Sequence, residues 1–220
     1  LLDIESHHRF TGFLARELNA KIFSVDYRLA PEHPYPEGLN DCELAFNWVK
    51  ENYKDLGINA ERISVGGDSA GGNLSAALCL KCQQDGINLP KAQLLIYPAT
   101  DLNFSHKSID ELAEGFMLTK KAMLWFREQY LTDKENIKDP FVSPLLAKDL
   151  SKQPPAVVVT AGFDPLRDEG DRYAEALTSC GVETYHLTFN GYIHGFVNME
   201  LISGVDKALK SICDEFKKIL

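Results

Sequence analysis

Short apolar runs alternate with helical amphipathic patterns along this chain, and that alternation restricts its fold more than any other feature. Residues 22–25, 62–65, 93–97 and 156–160 have strand length and are rich in aliphatic or β-branched side chains. Between the first two runs, Leu39, Cys42, Phe46, Val49 and Tyr53 recur at helical period, bounded by Gly38 and Gly57. Further helical patterns occupy residues 8–18, 70–85 before Gly86, 166–180 before Gly181, and the stretch from about Gly204 onward. Strands apolar on both faces that alternate with helices belong to a mostly parallel sheet covered on both sides, so the fold class is α/β. The last run, residues 183–189, differs: Tyr185, Leu187 and Phe189 alternate with Thr184, His186 and Thr188. One wetter face marks an edge strand.

The regular alternation is interrupted once, over about residues 101–150, where a polar loop precedes a helical segment at 120–131 and then Asp139-Pro140 and Ser143-Pro144. This stretch is expected to be a cap-like insertion over the sheet within a single domain of residues 1–220. A chain of 220 residues, 45% hydrophobic and 25% charged, has enough apolar surface for one substantial core. Its net charge of −9 gives no electrostatic footprint for nucleic acid or anionic lipid, and no run reaches the ~20 apolar residues of a membrane span. Five scattered cysteines (Cys42, Cys79, Cys82, Cys180, Cys213) argue against a disulfide framework and for a reducing, cytoplasmic setting. Cys79 and Cys82 form a C-x-x-C within one helical pattern, without the second ligand cluster of a metal site, and read as ordinary buried thiols. No metal or cofactor is expected. Residues 1–8 lack the pattern of a signal peptide.

Chemistry concentrates in Ile63-Ser64-Val65-Gly66-Gly67-Asp68-Ser69-Ala70-Gly71-Gly72-Asn73-Leu74. Gly67, Ser69 and Gly71 form Gly-x-Ser-x-Gly between an apolar strand and an amphipathic helix, the setting of a nucleophile elbow. There a serine occupies a strained turn at a helix N-terminus, and the Ala70 backbone N–H faces a developing oxyanion. The competing readings of a glycine-rich turn lack support: neither the Gly-x-Gly-x-x-Gly of a dinucleotide loop nor the Gly-Lys-Ser/Thr of a P-loop is present.

A serine hydroxyl needs a base, and in this chain order an acid should precede the histidine. His106 falls in the insertion and His186 within the last strand, whereas His194 follows that strand between Gly191 and Gly195. His194 is therefore the expected base. The loop after residues 156–160 offers Asp164, Asp168 and Glu169. Asp168 and Glu169 fall in the first turns of a helix, where acidic residues are favoured by the dipole alone, so Asp164 is assigned to orient His194.

Three segments now resemble a family: Asp26-Tyr27-Arg28-Leu29-Ala30-Pro31-Glu32-His33-Pro34-Tyr35-Pro36, Gly67-Asp68-Ser69-Ala70-Gly71-Gly72, and Asp164-Pro165-Leu166-Arg167-Asp168-Glu169-Gly170 with His194-Gly195-Phe196. They resemble the hormone-sensitive-lipase-like carboxylesterase branch of the α/β-hydrolases, and weaker spacing at Tyr97-Pro98, Leu118-Thr119 and Ser143-Pro144 extends the likeness over the chain. The resemblance implies Ser69, Asp164 and His194 as a triad, small ester substrates, and a bracing role for the segment from Tyr27 to Pro36. It also implies a His-Gly-Gly-Gly oxyanion loop and preceding strands, which this sequence does not contain. Residues 1–8 resemble the sequence that follows that loop. The expectation is thus a sheet with a strand position between residues 22–25 and 62–65, filled by a missing N-terminal segment or a second chain, and weak or absent turnover by these 220 residues alone. Amidase or thioesterase action on the same triad, an impaired fragment, and a non-catalytic small-ligand-binding member of the fold are the competing functions.

Overall fold

The computed structural model describes residues 4–199 and 201–220. The first three residues of the 1–8 segment therefore lie outside the described residues. Four strands, β1 (Val65–Asp68), β2 (Gln93–Ile96), β3 (Ala156–Phe163) and β4 (Thr184–Ile193), form one sheet in the order β1-β2-β3-β4, with every neighbouring pair parallel. Helices α1 (Ile4–Leu18), α2 (Glu37–Glu51), α3 (Ala70–Asp85), α4 (Lys107–Glu111), α5 (Lys120–Tyr130), α6 (Arg167–Ser179) and α7 (Val205–Phe216) surround it.

Period-two alternation in β2 and β3 builds two cores back to back. Leu94, Ile96, Val157 and Val159 face Phe10 and Leu14 of α1 and Leu209, Ile212 and Phe216 of α7. Leu95, Ala156 and Val158 face Ala76 and Leu80 of α3 and Tyr173, Ala174 and Leu177 of α6. All four residues of β2 are buried, which explains its unbroken apolar run. A third cluster packs Leu39 and Phe46 of α2 against Leu74 and Leu78, on the outside of α3. No helix among the described residues is long and apolar enough to cross a membrane.

Several expected boundaries move. The strand expected at 62–65 is displaced to Val65–Asp68, because residues 60–62 form a 3₁₀ turn and the ladder to β2 begins at Val65↔Gln93. Hydrogen bonding to β2 carries Gly66 and Gly67 into the strand despite their low strand propensity. The helix expected to reach Gly57 stops at Glu51, where both the backbone N–H and the side-chain amide of Asn52 bond the Trp48 carbonyl. The last strand runs past Phe189 to Ile193 because β3 continues to pair with it beyond an irregularity near Ala161 and Phe163.

Residues 22–25 do not form the expected strand. A β-strand is defined by its ladder, and no ladder to 22–25 exists among the described residues; Ile22, Phe23 and Val25 are instead exposed. Nothing in the described residues joins that segment to β1, whose partner is β2. Just beyond it the chain is tied down. The Arg28 guanidinium donates to both Asp41 carboxylate oxygens and pairs with Glu37, fixing the turn to α2. The Tyr35 hydroxyl donates to Asp139 at 2.9 Å, joining the same turn to the stretch that follows α5.

Candidate active site

The end of β1 is shaped by close backbone approach. A Cβ on Gly67 would stand 2.3 Å from the Gly71 carbonyl carbon, and one on Gly72 would stand 2.8 Å from the Pro98 ring, so the strand can turn into α3 in this way only with hydrogen at both positions. Ser69 sits at the apex with φ 56° and ψ −114°, a conformation rare for a residue with a side chain. Its backbone N–H donates to the Ile96 carbonyl and its carbonyl accepts from Asn73 and Ala99, which hold the strained turn from both sides. Ala70 follows as the exposed first residue of α3, where a backbone N–H has no intrahelical acceptor.

Asp164 follows β3. It is fully buried; one carboxylate oxygen accepts from the Leu166 N–H at 2.9 Å, and the other lies 2.7 Å from His194 Nδ1. An ionised carboxylate can only accept, so Nδ1 carries the proton and Nε2 keeps its lone pair. That lone pair faces Ser69 Oγ at 2.8 Å. His194 gains its position from the irregularity between β3 and β4. Ala161 pairs with Phe189 but Phe163 pairs with Ile193, so β4 carries extra residues, and Gly162 lets the Asn190 backbone pass where a Cβ would stand 2.3 Å from its carbonyl oxygen. Such bulges bend a strand and re-aim the residues after it.

The other candidates lie elsewhere. His106 pairs with Asp101 at 3.0 Å, and His186 with Asp171 at 3.0 Å on a face of the sheet. The Asp168 carboxylate accepts from the Ser108 N–H and the Arg167 guanidinium. Burial raises its pKa, but those two donors outweigh burial and hold it below the ordinary carboxylate value. Glu169 points into the core, where one oxygen accepts from the Thr100 and Asp101 amides and the other has no partner. Burial pushes this carboxyl well above its usual range, and the nearby Asp101 and Asp164 carboxylates add to the effect. Of the three acids after β3, Asp164 alone meets His194. The cysteines Cys79 and Cys82 are free and buried, and burial raises the Cys82 thiol to about 11.

The aromatic and methionine residues of 101–150 divide. Met123 packs with Ile109 and Leu166, and Phe104 lies beneath the Arg127 guanidinium. Trp125 and Phe126 meet edge to face on α5. Phe116 stacks on Phe163, the residue before Asp164, at 5.3 Å and 15°. Met117 is 68% exposed, and its terminal methyl reaches within 3.8 Å of the Cβ position of Gly195, next to His194. Sequence reasoning missed Phe163 and also Tyr97, whose ring lies 4.7 Å from the imidazole. An aromatic residue ending an apolar strand gives the same pattern whether it packs in a core or beneath a site.

The sequence pattern of a family described as alpha/beta hydrolase fold matches residues 1–198. Among curated relatives, the carboxylic ester hydrolase LipN of Mycobacterium tuberculosis is 42% identical over 208 residues, which cover 92% of this chain and 55% of the relative. The arylesterase of Saccharolobus solfataricus is 37% identical over 195 residues, 88% of this chain and 63% of the relative. The chain thus spans little more than half the length of one relative and under two thirds of the other. Among solved structures, an esterase of Pyrobaculum calidifontis superposes with a TM-score of 0.95 at 41% identity, covering 99% of this chain and 72% of that one. An ester hydrolase from the metagenome of Lake Arreo, solved with a bipyridine phosphonate derivative, gives 0.96 at 41% identity over 99% of this chain and 70% of its own.

Proposed function

Since the chain belongs to the α/β-hydrolase fold family, in its hormone-sensitive-lipase-like branch, we propose that it is a carboxylic ester hydrolase acting through an acyl-enzyme on Ser69. The observation that carries this reading is the continuous line Ser69 Oγ, His194 Nε2, His194 Nδ1, Asp164 Oδ2, with gaps of 2.8 and 2.7 Å. His194 takes the Ser69 proton as Oγ bonds to the ester carbonyl carbon. Asp164 holds the imidazole in the required tautomer and stabilises the imidazolium. The carbonyl oxygen becomes an oxyanion facing the Ala70 N–H, and the imidazolium returns its proton to the departing alcohol. Water, deprotonated by His194, then attacks the acyl-serine, releasing the acid and restoring Ser69.

Residues 101–150 act in this reading as a cap, with Phe116, Phe163 and Met117 forming an apolar wall beside His194 that favours short to medium acyl esters. The names of the relatives support esters over amides or thioesters. No cofactor enters the scheme.

The test is labelling by a fluorophosphonate together with turnover of p-nitrophenyl butyrate, an anilide and a thioester. Labelling confined to Ser69 and absent in Ser69→Ala is expected, with the ester preferred. Asp164→Asn and His194→Ala should each lower kcat, and the pair should lose little more than the worse single variant, because the groups act as a unit. Labelling that survives Ser69→Ala overturns the assignment.

A further inference from the structure

Besides the direct hydrogen bond, a second connection joins the surroundings of Ser69 to those of His194, and it runs through Tyr97. In the sheet order, β2 lies next to β1, so the chain leaving β4 must pass over the end of β2 to bring His194 to Ser69. Tyr97 stands at that crossing, directly after β2. Its ring lies 4.7 Å from the His194 imidazole at 55°, and 5.6 Å from the Phe196 ring. Its hydroxyl donates to Asp68 Oδ2 at 3.3 Å, and Asp68 is the residue before Ser69. Asp68 is held in turn by His7 of α1, whose Nε2 stands 3.1 Å from Oδ1.

The backbone marks the same residue. Tyr97 has φ 35°, a conformation an aromatic residue adopts only when its surroundings enforce it, and it is 1% exposed. Its N–H donates to the Val159 carbonyl at 2.6 Å, which fixes the strained residue to β3.

We propose that Tyr97 is a positioning residue for the ester hydrolysis: its ring packs against the His194 imidazole and Phe196, and its hydroxyl donates to Asp68 beside Ser69, so that it ties the serine-bearing turn to the histidine-bearing one. The inference rests on the triad reading of Ser69, His194 and Asp164. The bond to Asp164 fixes one end of the imidazole but leaves the ring free to tilt about it. The tilted Tyr97 ring packed against the imidazole restricts that freedom, and a displacement of ~1 Å in a reacting group can reduce rate by about 10²-fold. Burial, reinforced by the Asp68 carboxylate, pushes the phenol pKa well above its ordinary value, so the hydroxyl remains a donor to Asp68.

Tyr97→Phe, Tyr97→Leu, Asp68→Asn and the Asp68→Asn/Tyr97→Phe pair test this in the full chain. The readouts are kcat and KM on p-nitrophenyl butyrate, and the low-field NMR resonance of the His194 Nδ1 proton. Tyr97→Leu should lower kcat by about 10²-fold at nearly constant KM and broaden the Nδ1 proton through exchange with water. Tyr97→Phe keeps the ring and should lose only about tenfold, as for one buried hydrogen bond, while retaining a resolved Nδ1 proton. Asp68→Asn also removes the contact with His7, so the double variant should fall no further than Asp68→Asn alone, since both changes break the Tyr97–Asp68 contact.

Retention of kcat within about twofold in Tyr97→Phe overturns the hydroxyl link, as do multiplying losses in the double variant. A rise in KM alone overturns positioning in favour of substrate contact. Should Tyr97→Leu fail to fold, Tyr97→Phe and Asp68→Asn carry the test by themselves. If the parent takes up no fluorophosphonate at Ser69, the triad reading is what fails, whereas weak ester turnover alone agrees with the lack of a His-Gly-Gly-Gly stretch in this sequence. The Nδ1 proton still reports whether the Tyr97 ring holds the imidazole, and its unchanged appearance in folded Tyr97→Leu overturns the proposal.

Discussion

Asp164, Asp168 and Glu169 share a short stretch of sequence, yet their surroundings give them different partners and move the pKa values of the last two in opposite directions. Glu169 provides the clearest consequence. A free glutamic acid ionises near pH ~4.3, whereas the buried Glu169 stays protonated well above that. The folded chain therefore binds a proton that the unfolded chain has released, and stability falls as pH rises between the two values. Glu169→Gln keeps the acceptor for the Thr100 and Asp101 amides without the ionisable proton. Its melting temperature is expected to gain on the parent as pH rises from about 4 to 7. Glu169→Ala strands both amides and should cost about 2–5 kcal/mol near pH 4, less as pH rises, measured by urea denaturation. At this scale the sequence was informative where chemistry demanded a rare combination. Ser69, His194 and Asp164 each follow a strand, and the three residues singled out by chain order are joined in one hydrogen-bonded line. Tyr97 and Phe163 were not singled out, because burial of an aromatic ring leaves the same trace whatever it touches.

Turns and helix ends depend on which backbones touch, and the elbow separates two glycines that look equivalent in the motif. Gly67→Ala should cost about 3 kcal/mol and abolish phosphonate labelling, since its Cβ would collide with the Gly71 backbone, which cannot move aside. A Cβ at Gly71 meets no atom within 4 Å, so Gly71→Ala should leave the melting temperature unchanged or raise it, as alanine favours the helix over glycine. The tether between α4 and α6 makes a pH-dependent case. Asp168 titrates below its ordinary value because the Ser108 amide and Arg167 outweigh its burial, so its contribution exists above the unfolded pKa of about 3.9 and is lost as pH falls through the lower folded value. Asp168→Asn is expected to melt below the parent at pH 6 to about the same degree at pH 5, with the difference closing under stronger acid in a calorimetric series. The helical segment at 120–131 was legible from its period and proved to be α5. The five residues of α4 were not, since a helix this short has no period to detect and is held by Ser108 bonding Pro165 and Asp168. Residues 22–25 erred the other way: strand-forming side chains were present, but strand formation also requires a neighbour.

At the scale of the molecule, β2 and β3 are shared by both cores, so damage to either strand is felt on both faces of the sheet. Leu95→Ala should cost about 2–5 kcal/mol. Its urea midpoint should shift equally by far-UV circular dichroism and by the fluorescence of Trp48 on α2 and Trp125 on α5, the two tryptophans of the chain. Separate transitions would show that the stretch carrying α5 unfolds on its own. The alternation of strands and helices made the two-layer cover legible from sequence. The sheet order was less so, because it depends on which strands find partners in space.

Among the described residues, Ser69 stands at the end of one outer strand of the sheet and His194 at the end of the other, with β2 and β3 between them. Their bond consequently closes a loop around the entire width of the sheet, about 14 Å at three strand spacings. Fraying of β4 alone, with the rest of the domain intact, breaks that loop. On the proposed triad, phosphonylation of Ser69 would act as an internal gauge of edge docking: it should fade in denaturant before the tryptophans register any loss of structure.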